Sequence, residues 1–411
     1  MQTIQVFEHE SLKVNERGFT ETHLQILGRF LGNNDEVKFP YYSLIYKGVK
    51  FSQYVGVLCV GDLTIEVLPK ADKSKPDYKC WHDNLIKMLD KVYKLDVKVP
   101  SSASQKIKTN SAILDVFIKH FLDEVDVLLN RGLVKCYHKE DGNRNAMKGK
   151  LLVNQQLRRN CVHKERFYVR YNTYDYEHVM NRILRQALAV VPQVTQNQHL
   201  FGRASSLLFA FPELQEIVVD TEMFEKLQFD RKTEDYRDAV ALAKLLLLHY
   251  FPHGINGKED VLALMFDMDK LWEEYVFVML RRLLGNGFRV KGQDRQSFWT
   301  SCSGNDPKLR TIRPDIVVRR NNGTDTFILD TKWKCPNDGK PSDGDLHQIF
   351  VYQQLFKAQK VALIYPSTDN MTDHKDGFFF TDINQSRGSN CDMLFLPIEE
   401  TNWLPLLIQW F

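Results

Sequence analysis

The sequence predicts an α+β chain of several domains: a strand-rich N-terminal region (1–105), a helical middle region (106–232) and a C-terminal α/β domain (233–411). Three observations carry that expectation. At 411 residues the chain exceeds one typical domain. Apolar runs with strand character crowd the first hundred residues, and helical periodicity replaces them from about 107. Beyond 233 the order becomes helix, strand, strand, helix, strand, which is that of an α/β layer.

Each element has a local reason. THLQILGRFL (22–31) has helical apolar spacing, and YVGVLCVGDLTIEVLPKA (54–71) reads as two strands joined at Gly61-Asp62. Residues 81–95 read as an amphipathic helix. SAILDVFIKHFLDEVDVLLNRGL sets Ile113, Phe117, Phe121, Val125 and Leu128 along one face, and Gly132 is a natural stop. The next stretch, KEDGNRNAMKGKLLVNQQLRRNCVHKERFYVR (139–170), holds nine Lys or Arg against three acids, with Asn, Gln and aromatics between them. It reads either as a solvated loop with a strand or as a surface that meets phosphate or an acidic partner. The last region opens with the helix through DAVALAKLLLLHYF, breaks at PHGINGKED, and resumes with a helix over 268–284.

Composition narrows the class. Hydrophobic residues make up 43% and charged residues 26%, enough to build substantial cores. A net charge of +3 gives no bulk argument for a nucleic-acid partner, so any basic surface must be local. Seven cysteines, at 59, 80, 136, 161, 302, 335 and 391, form no CxxC pair, which argues against a disulfide framework or a structural zinc site. The start, MQTIQVFEHESLKV, lacks the pattern of a secretory signal. Apolar runs such as LAKLLLLHYF fall short of the ~18–20 residues that span a bilayer. The expectation is a soluble cytoplasmic protein.

RPDIVVRRNNGTDTFILDTKWK (313–334) concentrates the chemistry. DIVVRR and TFILDTKWK are strand-like around the turn NNGTD, and alternation puts Asp330 and Lys332 on one face with Thr331 pointing away. Pro314 suits a strand start, and Asp315 begins the partner strand. Two carboxylates converging on one point need a cation between them, and a hard ion such as Mg²⁺ suits oxygen ligands. A lysine beside it positions or helps deprotonate water. Glu273 in KLWEEYVFVMLRRLL adds a helical carboxylate, with Glu274 beside it as the alternative. HQIFVYQQL places Gln348 and Tyr352 four apart on one helix face. The series Glu273, Asp315, Asp330-Thr-Lys332, Gln348-x-x-x-Tyr352 resembles the PD-(D/E)xK nuclease core with its trailing QxxxY element.

Other features take plainer readings. His249 and His253 approach a ligand spacing, but Pro252 interrupts the helix between them. His347 is a contact for phosphate at most. Trp272 and Trp333 read as core or strand-flank aromatics. No GxxxxGK[ST] occurs, so this chain should bind no nucleotide, and neither a zinc motif nor a GxSxG elbow is present.

Further stretches resemble the McrC family across nearly the whole chain: IEVLPK (65–70), RGLVKCY (131–137), KGKLLVNQQLRRN (148–160), and DMDKLWEEYV ahead of RPDIV. That resemblance implies a restriction-endonuclease-like C-terminal domain and the nuclease subunit of a modification-dependent McrBC restriction system. It also implies an AAA+ GTPase partner, McrB, forming a hexameric ring that the N-terminal part enters and stimulates. Double-stranded DNA carrying a modification such as 5-methylcytosine is the implied substrate, cut in defence against foreign DNA. The catalytic roles fall on Asp315, Asp330 and Lys332, with Glu273 as a third metal ligand and Gln348 and Tyr352 shaping the site. The rival readings are a non-cleaving DNA-binding adaptor that activates the GTPase, and an autonomous repair nuclease.

Overall fold

The computed structural model describes residues 2–32, 40–60, 63–70, 77–93, 113–251, 261–300, 309–321, 325–336, 339–367, 372–380, 387–398 and 403–411. The chain forms two compact units. One joins Met1–Ile107 to Met265–Phe411, and the other is Lys108–Leu264.

The first unit begins with β1 (Gln2–Phe7), β2 (Ser11–Lys13), α1 (Glu21–Gly32), β3 (Tyr42–Ile45), β4 (Gly48–Phe51), β5 (Tyr54–Val60), β6 (Leu63–Leu68) and α2 (Tyr78–Tyr93). β6 runs parallel to β1 and antiparallel to β5, while β2, β4 and β3 form a small antiparallel sheet. The expected turn at Gly61-Asp62 lies outside the described residues. Every side chain of LTIEVL is buried, so β6 is covered on both faces. Its one charge, Glu66, accepts from Gln5 Nε2 at 2.9 Å and lies 3.7 Å from His82 Nε2, which offsets the burial.

The second unit holds α3 (Ile113–Arg131), β7 (Cys136–Arg144), β8 (Lys150–Leu151), α4 (Val153–Arg159), β9 (Phe167–Asp175), α5 (Val179–Val194), α6 (Gln198–Ala210), α7 (Thr221–Lys226), α8 (Arg237–Leu248) and β10 (Tyr250–Phe251). α3 ends at Gly132, whose φ of +91° only glycine adopts without strain. Asn181 is wholly buried and ties the unit together: it donates to Val134 O at 2.8 Å and Tyr176 O at 2.9 Å and accepts from Tyr236 OH at 3.0 Å. This part of the chain is not wholly helical. The basic stretch folds into a three-stranded sheet in the order β7-β9-β8, with α4 between β8 and β9. The break PHGINGKED, with His253, lies outside the described residues.

β11 (Val261–Asp267) runs from one unit into the other. The first unit then resumes with α9 (Met268–Leu284), β12 (Phe288–Gly292), β13 (Gln296–Thr300), β14 (Leu309–Ile312), β15 (Ile316–Arg320), β16 (Thr326–Thr331), α10 (Asp343–Phe356), β17 (Lys360–Ser367), β18 (Asp373–Lys375), β19 (Phe378–Phe380), β20 (Arg387–Pro397) and α11 (Trp403–Trp410). One mixed sheet has the order β12-β15-β16-β17-β20-β18, with β19 also on β20. β15 is antiparallel to β12 and β16, and β17 is parallel to β16 and β20. α10 is the crossover that parallel neighbours require. Among the described residues, β13 and β14 pair with each other and with no other strand. The middle of the expected turn NNGTD lies outside the described residues. No helix among the described residues is long and apolar enough to cross a membrane.

Candidate active site

Pairing of β15 with β16 sets the site. Ile316 opposes Leu329, so Asp315, one residue earlier, meets the end of β16. Its Oδ2 accepts from Thr331 N at 2.7 Å and Thr331 Oγ1 at 2.8 Å. Asp330, on the opposite pleat of β16, is 0% exposed, and its Oδ2 lies 2.7 Å from Lys332 Nζ. That contact pairs the buried carboxylate with the lysine ammonium.

The helix after β16 supplies the polar frame. Lys332 Nζ donates to Gln348 Oε1 at 3.2 Å, and Gln348 Nε2 lies 3.4 Å from Asp330 Oδ1 and donates to Tyr352 OH at 2.9 Å. Tyr352 OH donates in turn to Arg313 O at 3.2 Å, two residues before Asp315. One side chain therefore links acid and lysine, and a tyrosine fastens both to the other strand. His347 is exposed and lines no part of the cavity.

A cavity of about 330 Å³ opens here, lined by Asp269, Lys270, Glu273, Asp315, Thr331, Lys332, Trp333 and Lys334. Glu273 is a wall residue and Glu274 is not. Glu273 Oε1 accepts from Gln293 Nε2 at 2.7 Å. Burial raises the Glu273 carboxyl above its usual range, and the charge of Asp315 raises it further. Burial likewise raises Asp330, with Asp315 adding to it against the pull of Lys332. Burial opposes the charge on Lys332, but Asp330, Asp315 and Asp345 together outweigh it and hold the amine above the ordinary lysine range. Lys332 is thus a cation that can meet a phosphate oxygen.

The donor set is all oxygen, which suits a hard divalent ion such as Mg²⁺. Asp315 takes its hydrogen bonds from Thr331 on Oδ2 and Glu273 its bond from Gln293 on Oε1, while Asp330 Oδ2 is paired with Lys332. The carboxylates do not form a closed cluster, since no three of these oxygens lie within 4.8 Å of one another.

Sequence reasoning missed three participants. Asp269 lies one helical turn before Glu273, and burial, then Asp267, raise its carboxyl; the i, i+4 spacing was the available signal. Asp345, three residues before Gln348, binds Lys334 Nζ at 2.6 Å and lies 3.9 Å from Lys332 Nζ. Glu8 accepts from Trp333 Nε1 at 2.9 Å across 325 residues of sequence, and no local pattern announces it. Trp333 packs against Trp81 and Trp272, with ring centroids at 6.1 and 5.5 Å, so both expected core aromatics wall the site from behind.

Comparison with known proteins follows the same direction. The family model described as McrBC 5-methylcytosine restriction system component matches residues 49–366. No curated protein matches the chain. A chain in the refined half-complex from a tetradecameric assembly of Thermococcus gammatolerans McrB AAA+ hexamers with bound McrC is similar over 100% of both chains, at 21% identity and a TM-score of 0.66. A chain in the cryo-EM structure of the Thermococcus gammatolerans McrBC complex matches 69% of this chain and 88% of its own length, at 22% identity and a TM-score of 0.48. The full-length likeness shows a shared fold.

Proposed function

The chain belongs to the McrBC 5-methylcytosine restriction system component family, and from that membership we propose that it is the DNA-cutting subunit of such a system, working with an AAA+ GTPase. The observation that carries the proposal is the meeting of Asp315, Glu273 and Lys332 around one cavity, with Asp330 buried beside it and paired to Lys332 at 2.7 Å. The C-terminal part of the first unit is accordingly read as a PD-(D/E)xK nuclease domain. Its mixed sheet, with the acidic strand ends of β15 and β16 beside α9 and α10, supports that reading.

Asp315, Asp330 and Glu273 would hold Mg²⁺, with Asp269 facing the same space. Bound there, the ion supplies Lewis-acid charge and activates water for attack on phosphorus. Lys332, kept protonated, donates to a phosphate oxygen as negative charge grows on it. Gln348 orients Lys332 and Asp330 together, and Tyr352 fixes the spacing of the two strands. Water adds to phosphorus and one P–O bond of the DNA backbone breaks.

The partner follows from the shared fold. The similar chain belongs to an assembly of McrB AAA+ hexamers with bound McrC. The present chain has no phosphate-cradling GxxxxGK[ST], so the motor has to be another chain. Methylated DNA is the substrate that the family description supports.

The test is cleavage of methylated plasmid by the chain together with its AAA+ partner, GTP and Mg²⁺. Asp330→Asn is expected to lower the rate by about a thousand-fold and Lys332→Ala by about a hundred-fold, with both variants assembling normally. Wild-type rates in either variant would sink the site assignment. Absence of cleavage by the wild-type complex would favour the adaptor reading.

A further inference from the structure

The β13–β14 hairpin stands out because no fold-level role accounts for its surface. It is a two-stranded ribbon, paired with no other strand among the described residues, and such ribbons have little stability of their own. Yet it exposes three large apolar side chains: Phe298 at 52%, Trp299 at 54% and Leu309 at 58%. A β-bulge lies between Ser297 and Trp299, so that Phe298 and Trp299 together oppose the single residue Arg310. Bulges re-aim side chains and recur beside active sites. Here the bulge brings two aromatic rings and a guanidinium to one level of the ribbon.

Charge and position agree. Arg295 and Arg310 are exposed, with no ion pair to either among the described residues; Arg313 is exposed too, and its charge acts on Glu273. The neighbouring acid, Asp294, is occupied by Lys291 Nζ at 2.5 Å and Arg319 Nη2 at 3.1 Å. The ribbon leaves the cavity at Gln293, whose amide holds Glu273, and returns to it at Asp315. Free arginines interleaved with exposed aromatics form a nucleic-acid surface: the cations meet phosphates and the rings stack or wedge against bases.

We infer that the β13–β14 hairpin grips duplex DNA beside the scissile phosphate, Arg295 and Arg310 meeting the backbone while Phe298 and Trp299 press against the bases. The inference rests on the nuclease reading of the adjoining site for its register, and on the hairpin's own surface for its ligand class. Nothing in the hairpin belongs to the metal-holding carboxylates, so its loss weakens binding and leaves the chemical groups in place.

The experiment is fluorescence anisotropy with a labelled duplex and the full chain, with Ca²⁺ replacing Mg²⁺ to prevent cutting, across a salt series. The double variant Arg295→Gln/Arg310→Gln keeps the ribbon's size and is expected to flatten the slope of log K against log salt by about two. Trp299→Ala is expected to weaken binding about ten-fold. Arg310→Lys, which keeps a charge, should restore most of the salt slope. Unchanged affinity and slope in the double variant would overturn the inference, as would a wild-type chain that binds no duplex. Normal DNA binding with lost attachment to the AAA+ partner would overturn it too, assigning the hairpin to a protein interface. The nuclease reading fails separately, through absence of cleavage by the wild-type complex, and that outcome leaves the anisotropy result standing.

Discussion

Glu8 and Asp330 are both carboxyls that folding takes out of water, and each meets a donor from another part of the chain or strand. Asp330 announces itself through strand alternation with Lys332 and a partner strand headed by Asp315. Glu8 looks like any acid near an N-terminal strand, because its partners Lys70 and Trp333 come from distant chain segments. Its Oε1 accepts from both Lys70 N at 2.7 Å and Trp333 Nε1 at 2.9 Å, but burial prevails and pushes the carboxyl up to about 7 from 4.5. A raised carboxyl gives stability that is complete below the unfolded value and is lost as pH rises through the folded one. Between about 4.5 and 7, therefore, the chain loses up to about 3 kcal/mol from this group. Glu8→Gln keeps an oxygen at the position that takes both donors and cannot ionise. Its melting temperature should exceed that of the wild type at pH 8 and converge with it near pH 4.5. Parallel melting curves across that range would show that Glu8 is ionised throughout.

At the scale of elements, the long periodic segments were readable and the long-range pairings were not. α3 and α9 follow from apolar spacing with a glycine at the end, Gly132 and Gly285. The basic stretch was ambiguous because β7 pairs with β9 residue for residue from Cys136↔Asp175 to Arg144↔Phe167, with β8 and α4 intervening. Period-two alternation is weak in CYHKEDGNR, where neither face is fully buried. The resulting ribbon is tied by Asp141 and Arg170, whose two contacts are 2.6 Å each, and Arg144 lies over the Tyr171 ring at 4.4 Å. Gly149 holds φ +79° with its α-carbon facing Arg170 O, where a Cβ would approach to 2.2 Å, so the KGK turn is fixed by backbone fit. Arg144, Lys148, Arg158 and Arg159 remain exposed on this frame. A cation near a γ-phosphate stabilises transfer, and on the motor-facing reading their alanine variants should lower the partner's GTPase stimulation about ten-fold or more. Hairpin-dependent DNA binding should stay unchanged in the same variants. Full stimulation with weakened duplex binding would move the ribbon to the DNA path instead.

The first unit as a whole is discontinuous, made of chain from both sides of the second. Three successive regions were expected from composition, since each stretch has enough apolar residues for a core and the sequence carries no mark of contacts spanning hundreds of residues. Those contacts surround the candidate site. Trp333, next to Lys332, is held by Glu8 of the β1 end, by Trp81 of α2 and by Trp272 of α9. Met268 N, at the start of the helix bearing Asp269 and Glu273, donates to Gln53 O at 3.1 Å. Tyr93 meets Phe266 at a centroid distance of 5.4 Å. Each buried aromatic removes about 150–250 Å² from water, worth about 4–6 kcal/mol at 25 cal/mol per Å², against a net domain stability of about 5–15 kcal/mol. Residues 265–411 expressed alone should therefore fail to fold cooperatively, showing a red-shifted tryptophan emission and rapid proteolysis. Adding residues 1–107 as a separate chain should restore a sharp thermal transition and a blue-shifted emission, because it returns Glu8 and Trp81 to Trp333. A cooperative transition in 265–411 alone, with native-like emission, would show that the C-terminal part needs no N-terminal wall.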